Sequence, residues 1–256
     1  MPTSIYNNPV GEVLIELDTV DSTNNYAMEQ LDRGTVQNGT VILAHHQHAG
    51  KGQRGKIWLT EPHTNLAMSV VLDMSFLKPD EQFYLNAAVA LAVRDTLAEL
   101  LPQKNVHIKW SNDIYINDCK VTGILIENSL RGTQWQHAVV GIGMNVQQSA
   151  FDPALPNPTS LIREGLTITP TEVCRRICTQ LDIWLLQLRL KSFYTLLKAY
   201  KSHLYLLNQP AVFYHNEVPF EGTIRDVQTD GGLVMDTPDG RKTFFFGEIK
   251  FAVAVK

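Results

Sequence analysis

The chain has little of what marks membrane-spanning, secreted or DNA-binding proteins. The segment Met1 to Glu12 contains no basic stretch followed by an apolar one, and no run approaches the roughly 18 apolar residues of a membrane span. The net charge is −4, so bulk charge does not attract DNA or anionic membranes. Only three cysteines are present, an odd number that argues against a disulfide scaffold. We therefore expect a cytoplasmic protein that neither spans a membrane nor binds DNA.

The sequence is also poor in groups that could bind a metal ion. His46 and His48 fall on one face of a predicted strand, but no acidic or cysteine partner stands at ligand spacing. Cys174 and Cys178 lie four residues apart in a helical pattern and therefore share a face. Two further ligands are missing there, so both thiols are interpreted as small buried hydrophobes. No metal site made by protein side chains is predicted.

What the sequence does contain is an alternation of short strands and helical segments, with 44% apolar residues to fill a core. One helix follows the capping residues Asp21-Ser22-Thr23-Asn24 and runs to Leu31, and a second runs from Pro79 to Leu100. A third begins at a capping box, Thr169 to Glu172, and continues to about Leu206 with a break near Lys191. Strands are predicted at Leu14–Leu17, Thr40–Ala44, Asn65–Leu72, Val106–Trp110, Ile114–Ile116, Val121–Ile126 and Ala138–Ile142.

The pattern changes after Asn208-Gln209-Pro210, where short strands alternate with turns at Asp230-Gly231 and Asp239-Gly240. This rhythm predicts a small five-stranded barrel at the end of the chain. The change in composition resembles a linker, so we predict two domains, residues 1–207 and residues 208–256.

A glycine-rich loop carries the first chemical signal, because Gly50-Lys51-Gly52-Gln53-Arg54-Gly55 matches G-x-G-x-x-G. A dinucleotide-binding loop would open a helix, whereas Lys56-Ile57-Trp58 is a poor helix start, and the kinase motifs H-R-D and D-F-G are absent. The glycines free the backbone to wrap a ligand, and the cations of the loop offer charge-assisted bonds to carboxylate or phosphate. The alternative interpretation is a solvated loop with incidental charges.

Three further polar segments accompany strands. Lys109-Trp110-Ser111-Asn112-Asp113 stands at a strand end, a common place for catalytic groups, although Asn-Asp is also ordinary turn chemistry. Alternation places Lys120 on one face with Thr122, Ile124 and Ile126, so this lysine lies at an exposed strand end or pairs with an anion. Gly141-Ile142-Gly143-Met144-Asn145 ends another strand, where the glycines either admit a flat ring or form a simple bend.

Taken in order, five segments resemble the motifs of biotin protein ligases: residues 21–24, 47–58, 109–113, 120–127 and 141–145. The resemblance covers about residues 14 to 165. It implies an α+β fold, in which a mixed β-sheet of the class II synthetase-like type is flanked by helices and followed by a small SH3-like β-barrel. It also implies ATP-dependent activation of biotin to biotinyl-5′-AMP and transfer of biotin to a lysine of a biotin carboxyl carrier protein domain.

The resemblance implies roles for individual residues. Lys120 would be the central catalytic lysine, bridging the biotin carboxylate and the α-phosphate, and Asp113 would orient the acceptor lysine or take its proton. ATP and biotin are the implied substrates, with Mg²⁺ bound through the phosphates. The implied biotin-binding residues are Ser22, Thr23, Asn24, Gln47, Gly50, Lys51, Gly52, Gln53, Lys120 and Gly123. The implied residues for ATP and the adenylate are Lys51, Arg54, Lys56, Trp58, Asn112, Lys120, Gly141, Gly143 and Asn145.

The chain departs from the family pattern at two places. The family loop usually reads Gly-Arg-Gly-Arg-x-Gly-Arg-x-Trp, whereas Lys51, Gln53 and Lys56 stand at its arginine positions here, and Ser111 replaces the usual proline of the pentad. The lysines keep the positive charge without the planar fork of arginine. Gln53 loses the charge, so we expect weaker retention of the adenylate.

Two other functions are alternatives to that of a biotin ligase. A lipoate–protein ligase has a related fold, but its loop resembles Arg-Arg-x-Ser-Gly-Gly-Gly. A non-catalytic biotin sensor would not need both Lys120 and Asp113. Many bacterial biotin ligases carry an N-terminal DNA-binding domain, and because the catalytic pattern begins near Leu14 we expect no repressor role. A homodimer through a sheet edge is compatible with the family.

Overall fold

The computed structural model describes residues 8–252 except Leu59. The larger of its two sheets has seven strands: β1 (Leu14–Val20), β2 (Val41–Gln47), β3 (Leu66–Asp73), β4 (Val106–Lys109), β5 (Asp113–Ile116), β6 (Cys119–Arg131) and β7 (Gln134–Met144). Their order across the sheet is β1-β2-β3-β7-β6-β5-β4. Strand β1 runs parallel to β2, and the other neighbouring pairs are antiparallel. The predicted mixed sheet is therefore confirmed.

Four helices accompany this sheet: α1 (Thr23–Asp32), α2 (Gln82–Leu100), α3 (Pro170–Arg189) and α4 (Phe193–Ser202). The predicted break near Lys191 is confirmed, because α3 ends at Arg189 and α4 begins at Phe193. The predicted cap of α3 is present as well, since the Thr169 hydroxyl accepts from the backbone N–H of Glu172 at 3.2 Å. The first helix is capped differently: Ser22 occupies the N-cap position, but its hydroxyl makes no capping bond.

The helices lie on opposite faces of the sheet. Helix α2 is almost entirely buried, and it packs with α3 and α4 into one large core that includes Val41, Val70 and Val140. The alternate residues of the same strands, Ile42, Val71 and Val139, face the other way and pack against Ala27 of α1. Since α1 is short, it covers only part of its face, and the remainder of that face is left for polar groups and glycines.

The C-terminal strands form a second sheet: β8 (Pro210–His215), β9 (Val218–Val227), β10 (Leu233–Thr237), β11 (Gly240–Phe244) and β12 (Ile249–Phe251). All pairs are antiparallel, in the order β11-β10-β9-β8-β12. Its buried side chains, among them Phe213 and Ile224, belong to the same apolar cluster as the core of the larger sheet. Five strands were predicted here and five are present. The closed barrel and the division into two domains remain predictions.

Across the described residues, 8–58 and 60–252, no helix combines the length and the apolar character that crossing a membrane would require.

Candidate active site

The position of Lys120 is set by an irregularity in the pairing of β5 with β6. Ile114 lies opposite Thr122, but Tyr115 lies opposite Lys120, so Val121 is an extra residue in β6. Val121 and Thr122 are consequently both buried. The extra residue reverses the alternation, and Lys120 points to the face of Gly123 rather than to the apolar row of Ile124. The expectation that Lys120 shares a face with Thr122, Ile124 and Ile126 was wrong for this reason.

Lys120 is paired with the predicted acidic residue of the site. Its Nζ lies 2.7 Å from Asp113 Oδ1, while Lys109 Nζ lies 3.8 Å from Asp113 Oδ2. One carboxylate thus faces two ammonium groups. Burial lowers the pKa of Lys109, the charges of Lys120 and Lys56 lower it further, and Asp113 acts in the opposite direction. The cluster carries more positive than negative charge and is suited to binding an anion.

The remaining residues of the pentad are fixed by hydrogen bonds. The buried Asn112 donates its amide to the carbonyl of Ile124 at 2.7 Å. The carbonyl of Ser111 accepts from the Tyr200 hydroxyl at 2.6 Å and from the Asn86 amide at 3.0 Å. Trp110 donates to the carbonyl of Gly231 at 2.9 Å and so connects the pentad to the C-terminal sheet. The pentad is therefore held by both sheets and by α2 and α4.

The glycine-rich loop folds back on itself as a short hairpin. The N–H of Trp58 donates to the carbonyl of Gly50 at 2.9 Å, and the N–H of Gly52 donates to the carbonyl of Lys56 at 2.7 Å. Gln53 donates its side-chain amide to the same Ile124 carbonyl that Asn112 binds, at 3.2 Å. Gln53 therefore lies on the site, while the Lys56 side chain is exposed at the rim.

Trp58 lies in the groove between Gly123 and Gly143, which are paired across β6 and β7. A Cβ on Gly123 would lie 3.0 Å from Trp58 Cζ3, and one on Gly143 would lie 2.6 Å from Trp58 Nε1. Lys120 Nζ lies 5.8 Å from the centre of the indole ring. The indole N–H is buried and has no hydrogen-bond partner. Gly123 and Gly143 thus admit the flat ring of Trp58. Of the glycines in residues 141–145, Gly143 lies against a ring, and a ligand ring at this segment stays a prediction.

The N-terminus of α1 forms a polar pocket on the same face. The backbone N–H of Thr23 donates to Gln47 Oε1 at 2.8 Å, and the Thr23 hydroxyl oxygen lies 3.1 Å from the same atom. Ser69 Oγ lies 2.7 Å from Thr23 Oγ1 and 2.6 Å from Asn24 Oδ1. A Cβ on Gly141 would overlap the Asn24 amide, so Gly141 borders this pocket and not the indole.

The pocket contains two residues for which the sequence predicted no role, Glu127 and Ser69, and Glu127 also reaches the loop. Glu127 Oε2 accepts from Asn24 Nδ2 at 2.7 Å, and Glu127 Oε1 lies 3.3 Å from Lys51 Nζ. Ser69 is completely buried between Thr23 and Asn24. A polar residue in the middle of an apolar strand is a sequence signal for Ser69, and a glutamate at the end of the apolar run of β6 is one for Glu127.

Two further predicted ligand-binding residues use their side chains on main-chain carbonyls. The Arg54 guanidinium donates to the carbonyls of Phe246 and Gly247, between β11 and β12, at 2.7 and 3.1 Å. The buried Asn145 donates its side-chain amide to the carbonyl of Thr159 at 3.0 Å. Within the described residues no group of three or more histidine, cysteine, aspartate or glutamate side chains is placed to hold a metal ion.

The site thus combines a polar pocket, an excess of lysine charge and a groove for a flat ring on one face of the larger sheet. Residues 16–145 match the model of the biotin/lipoate A/B protein ligase family. A biotin–[acetyl-CoA-carboxylase] ligase of Paracoccus denitrificans is 30% identical over 245 residues, which is 92% of this chain and 99% of the relative.

Solved structures of similar proteins extend over nearly the whole chain. The biotin protein ligase of Aquifex aeolicus, in complex with biotin and ATP, has a TM-score of 0.79 and 26% identity, covering 95% of this chain and 100% of its own. The biotin protein ligase of Leishmania major, in complex with biotinyl-5-AMP, has a TM-score of 0.59 and 26% identity, covering 91% and 99%.

Proposed function

Since the chain belongs to the biotin/lipoate A/B protein ligase family, we propose that it activates biotin with ATP and transfers biotin to a lysine of a biotin carboxyl carrier protein domain. The observation that carries the proposal is the position of Lys120, which the bulge at Val121 turns toward the groove that holds Trp58. The polar pocket of α1 lies on the same face. A cation between a polar pocket and a groove for a flat ring suits a reaction that joins a small acid to a nucleotide.

The polar pocket is the proposed site of the ureido ring of biotin. Thr23, Asn24 and Gln47 offer both donors and acceptors there, as a urea requires. Ser22 belongs to the same turn, and its hydroxyl is not used for capping. The loop glycines Gly50 and Gly52, with Lys51 and Gln53, would close over the biotin side chain, and Gly123 would border it.

Adenylation would take place at Lys120. The biotin carboxylate attacks the α-phosphorus of ATP, the bond to the β-phosphate oxygen breaks, and pyrophosphate leaves while biotinyl-5′-AMP remains. Two anionic groups must approach each other in this step, so positioned cations lower its barrier. Lys120 supplies charge at the centre, and Lys51 supplies it from the loop. Since the mixed anhydride is sensitive to water, the loop would also exclude solvent.

The nucleotide would lie against the Trp58 indole, which packs on Gly143. Asn112 and Asn145 use their side-chain amides on main-chain carbonyls, so they would shape this groove through the backbone they hold. Gly141 would contribute at the boundary with the biotin pocket. Arg54 and Lys56 would act from the rim of the loop, Arg54 after leaving its contacts with the C-terminal sheet.

Magnesium would arrive with ATP and be bound through the phosphate oxygens. Mg²⁺ usually keeps several water ligands and takes few from the protein. The carboxylate beside Lys120, that of Asp113, already faces two lysines. This fits a site in which the phosphates bind the metal ion. The ion would supply further charge neutralisation on the leaving pyrophosphate.

Transfer requires the acceptor lysine as a free amine. Its nitrogen attacks the biotinyl carbonyl, the bond to the phosphate oxygen breaks, AMP leaves, and one proton is lost from the nitrogen. Asp113 is the carboxylate beside Lys120 and would orient the amine or take that proton.

The C-terminal strands are proposed to form an SH3-like barrel. Support comes from the five strands in sequence order and from their buried apolar side chains, which include Leu233, Met235 and Phe244. The edge strands of the larger sheet are β1 and β4, and a second copy could add at β1 to give a homodimer. A cytoplasmic location and the absence of DNA binding stay proposals of the same kind.

ATP–pyrophosphate exchange tests the proposed function. Exchange should depend on biotin and should not occur with lipoate in its place. Exchange with lipoate alone would instead identify a lipoate ligase of the same family. Biotin binding without exchange would identify a sensor.

A further inference from the structure

Glu127 contacts both halves of the proposed biotin pocket. Its two carboxylate oxygens have different partners, Asn24 Nδ2 at 2.7 Å and Lys51 Nζ at 3.3 Å. Asn24 belongs to the N-terminus of α1, whereas Lys51 belongs to the glycine-rich loop. The side chain of Glu127 is about one-third exposed, at 32%. Glu127 therefore lies at the edge of the pocket, where Asn24 and Lys51 would stand between its carboxylate and a ligand.

The chemistry of these partners fixes the direction of the hydrogen bonds. A carboxylate only accepts, so the Asn24 amide must turn its NH₂ group to Glu127 and its carbonyl oxygen to Ser69. Ser69 has a single hydroxyl proton and must give it to that oxygen, at 2.6 Å. Ser69 therefore has no proton left for Thr23, 2.7 Å away on its other side, so the Thr23 hydroxyl donates its own proton to the Ser69 oxygen. Both lone pairs of the Thr23 oxygen stay available to a donor from the ligand.

We propose that Glu127 is a specificity-determining positioning residue: its carboxylate, bound to Asn24 and Lys51 together, keeps the Thr23 hydroxyl an acceptor for a ureido N–H of biotin. The inference rests on the proposed function, which supplies the ureido ring. It concerns selectivity between ligands, since Glu127 acts through Asn24 and Ser69 and does not touch the ligand itself.

The substitution Glu127→Gln makes this role measurable, because the amide has only one oxygen. Lys51 is a charged donor and binds that oxygen more strongly than a neutral amide does. The NH₂ group of the new side chain then faces Asn24 and turns the Asn24 amide around. Asn24 now donates to Ser69, and Ser69 donates to Thr23. The proton from Ser69 then takes one of the two acceptor positions on the Thr23 oxygen, and the Thr23 proton, which Ser69 no longer accepts, is free to point to the ligand.

A second substitution separates this account from a loss of loop structure. In Glu127→Gln/Lys51→Met no ammonium competes for the amide oxygen, so that oxygen returns to Asn24 and the original direction is restored. The probes are biotin and the two cyclic carbamates in which one ureido N–H is replaced by oxygen. Binding is measured by calorimetry without ATP, and the readout is the ratio of carbamate Kd to biotin Kd.

For the carbamate whose oxygen faces Thr23, Glu127→Gln should lower the ratio about tenfold, the value of one hydrogen bond. Lys51→Met should leave the ratio at the wild-type value, and the double variant should return to within about twofold of Lys51→Met. The control is Glu99→Gln, the same change at an exposed carboxylate that binds Gln180, and it should change nothing.

An unchanged ratio in Glu127→Gln would overturn the inference, and so would a double variant that stays as low as the single one. A purely structural role of Glu127 would weaken all three ligands equally and leave the ratio constant. Failure of the proposed function is distinct from these results, because the wild-type protein itself would then not bind biotin.

Discussion

Lys120 and Asp113 form the closest ion pair of the site, with 2.7 Å between Nζ and Oδ1. They belong to adjacent strands, and it is the extra residue Val121 that turns Lys120 toward this face of the sheet. The lysine is thus held in place before any ligand arrives. An incoming carboxylate or phosphate must share Lys120 with Asp113 or replace Asp113 at Lys120. Lys109, on the other side of Asp113, still pairs with the Asp113 carboxylate when that happens.

Replacing Lys120 with alanine should abolish most adenylation while the protein still folds. The lysine side chain is about one-third exposed, at 32%, so little packing is lost. Loss of a cation that acts mainly in the transition state should cost at least about 3 kcal/mol, or roughly a hundredfold in rate. The measurement is biotin-dependent ATP–pyrophosphate exchange. Lys242→Ala, at a surface lysine of the C-terminal sheet, is the matched control. Exchange close to the wild-type rate would remove Lys120 from the catalytic role.

Replacing Asp113 with asparagine should lower stability at neutral pH, and the deficit should shrink as pH rises. Burial holds the pKa of Lys109 below its ordinary value of 10.5, and Asp113 is the charge that raises it. Without Asp113 the pKa of Lys109 falls further. The unfolded variant then binds more protons than the folded variant over a wider range of pH below 10.5. The free energy of unfolding of the variant therefore rises with pH across that range.

Urea unfolding between about pH 7 and about pH 10 measures this effect. The comparison is with Asp239→Asn, which removes an exposed carboxylate paired with Lys242. A deficit for Asp113→Asn that is constant with pH would show that Lys109 does not respond to this carboxylate.

Replacing Gly143 with alanine should displace Trp58 from its groove. The new Cβ would lie 2.6 Å from the indole nitrogen, closer than atoms in contact allow. Overpacking of this kind costs about 1–3 kcal/mol when nothing moves, so the loop should move instead. We expect a red shift of Trp58 fluorescence and a KM for ATP that rises more than the KM for biotin. The same substitution in a Trp58→Phe background isolates the signal, and an unshifted spectrum would contradict the packing described.

Replacing Gln53 with arginine should slow release of the adenylate. A charge-assisted hydrogen bond contributes about 1.5–3 kcal/mol and a neutral one about 0.5–1.5 kcal/mol. The difference of about 1 kcal/mol corresponds to roughly fivefold in release rate. The enzyme is loaded with biotin and ATP, excess substrate is removed, and dissociation of biotinyl-adenylate is followed for both proteins. Equal rates would mean that Gln53 stays on the Ile124 carbonyl and does not face the phosphate.

Features that depend on neighbouring residues in the chain could be predicted from the sequence. The cap at Thr169 and the break near Lys191 are both present, because capping and helix breaking are local. The strands of the larger sheet were predicted for the same reason, since alternation of apolar residues is read within one segment. The strands β6 and β7 extend further than predicted, into a polar hairpin beyond Ile126 where the apolar signal ends.

Features that depend on distant pairing could not be predicted. The face of Lys120 was wrong because a bulge at Val121 exists only relative to β5. The contact of Arg54 with Phe246 and Gly247 joins residues separated by 192 and 193 positions along the chain. The connection of Glu127 to Asn24 likewise depends on how α1 packs on the sheet.

The most direct test of the account is transfer of biotin to a carrier. The wild-type protein is incubated with biotin, ATP, Mg²⁺ and a purified biotin carboxyl carrier domain, and the intact mass of the carrier is followed. We predict a gain of one biotinyl group that requires ATP, is absent when the acceptor lysine is changed to arginine, and is nearly lost with Lys120→Ala. A carrier whose mass is unchanged by the wild-type protein, or changed equally by Lys120→Ala, would contradict the account.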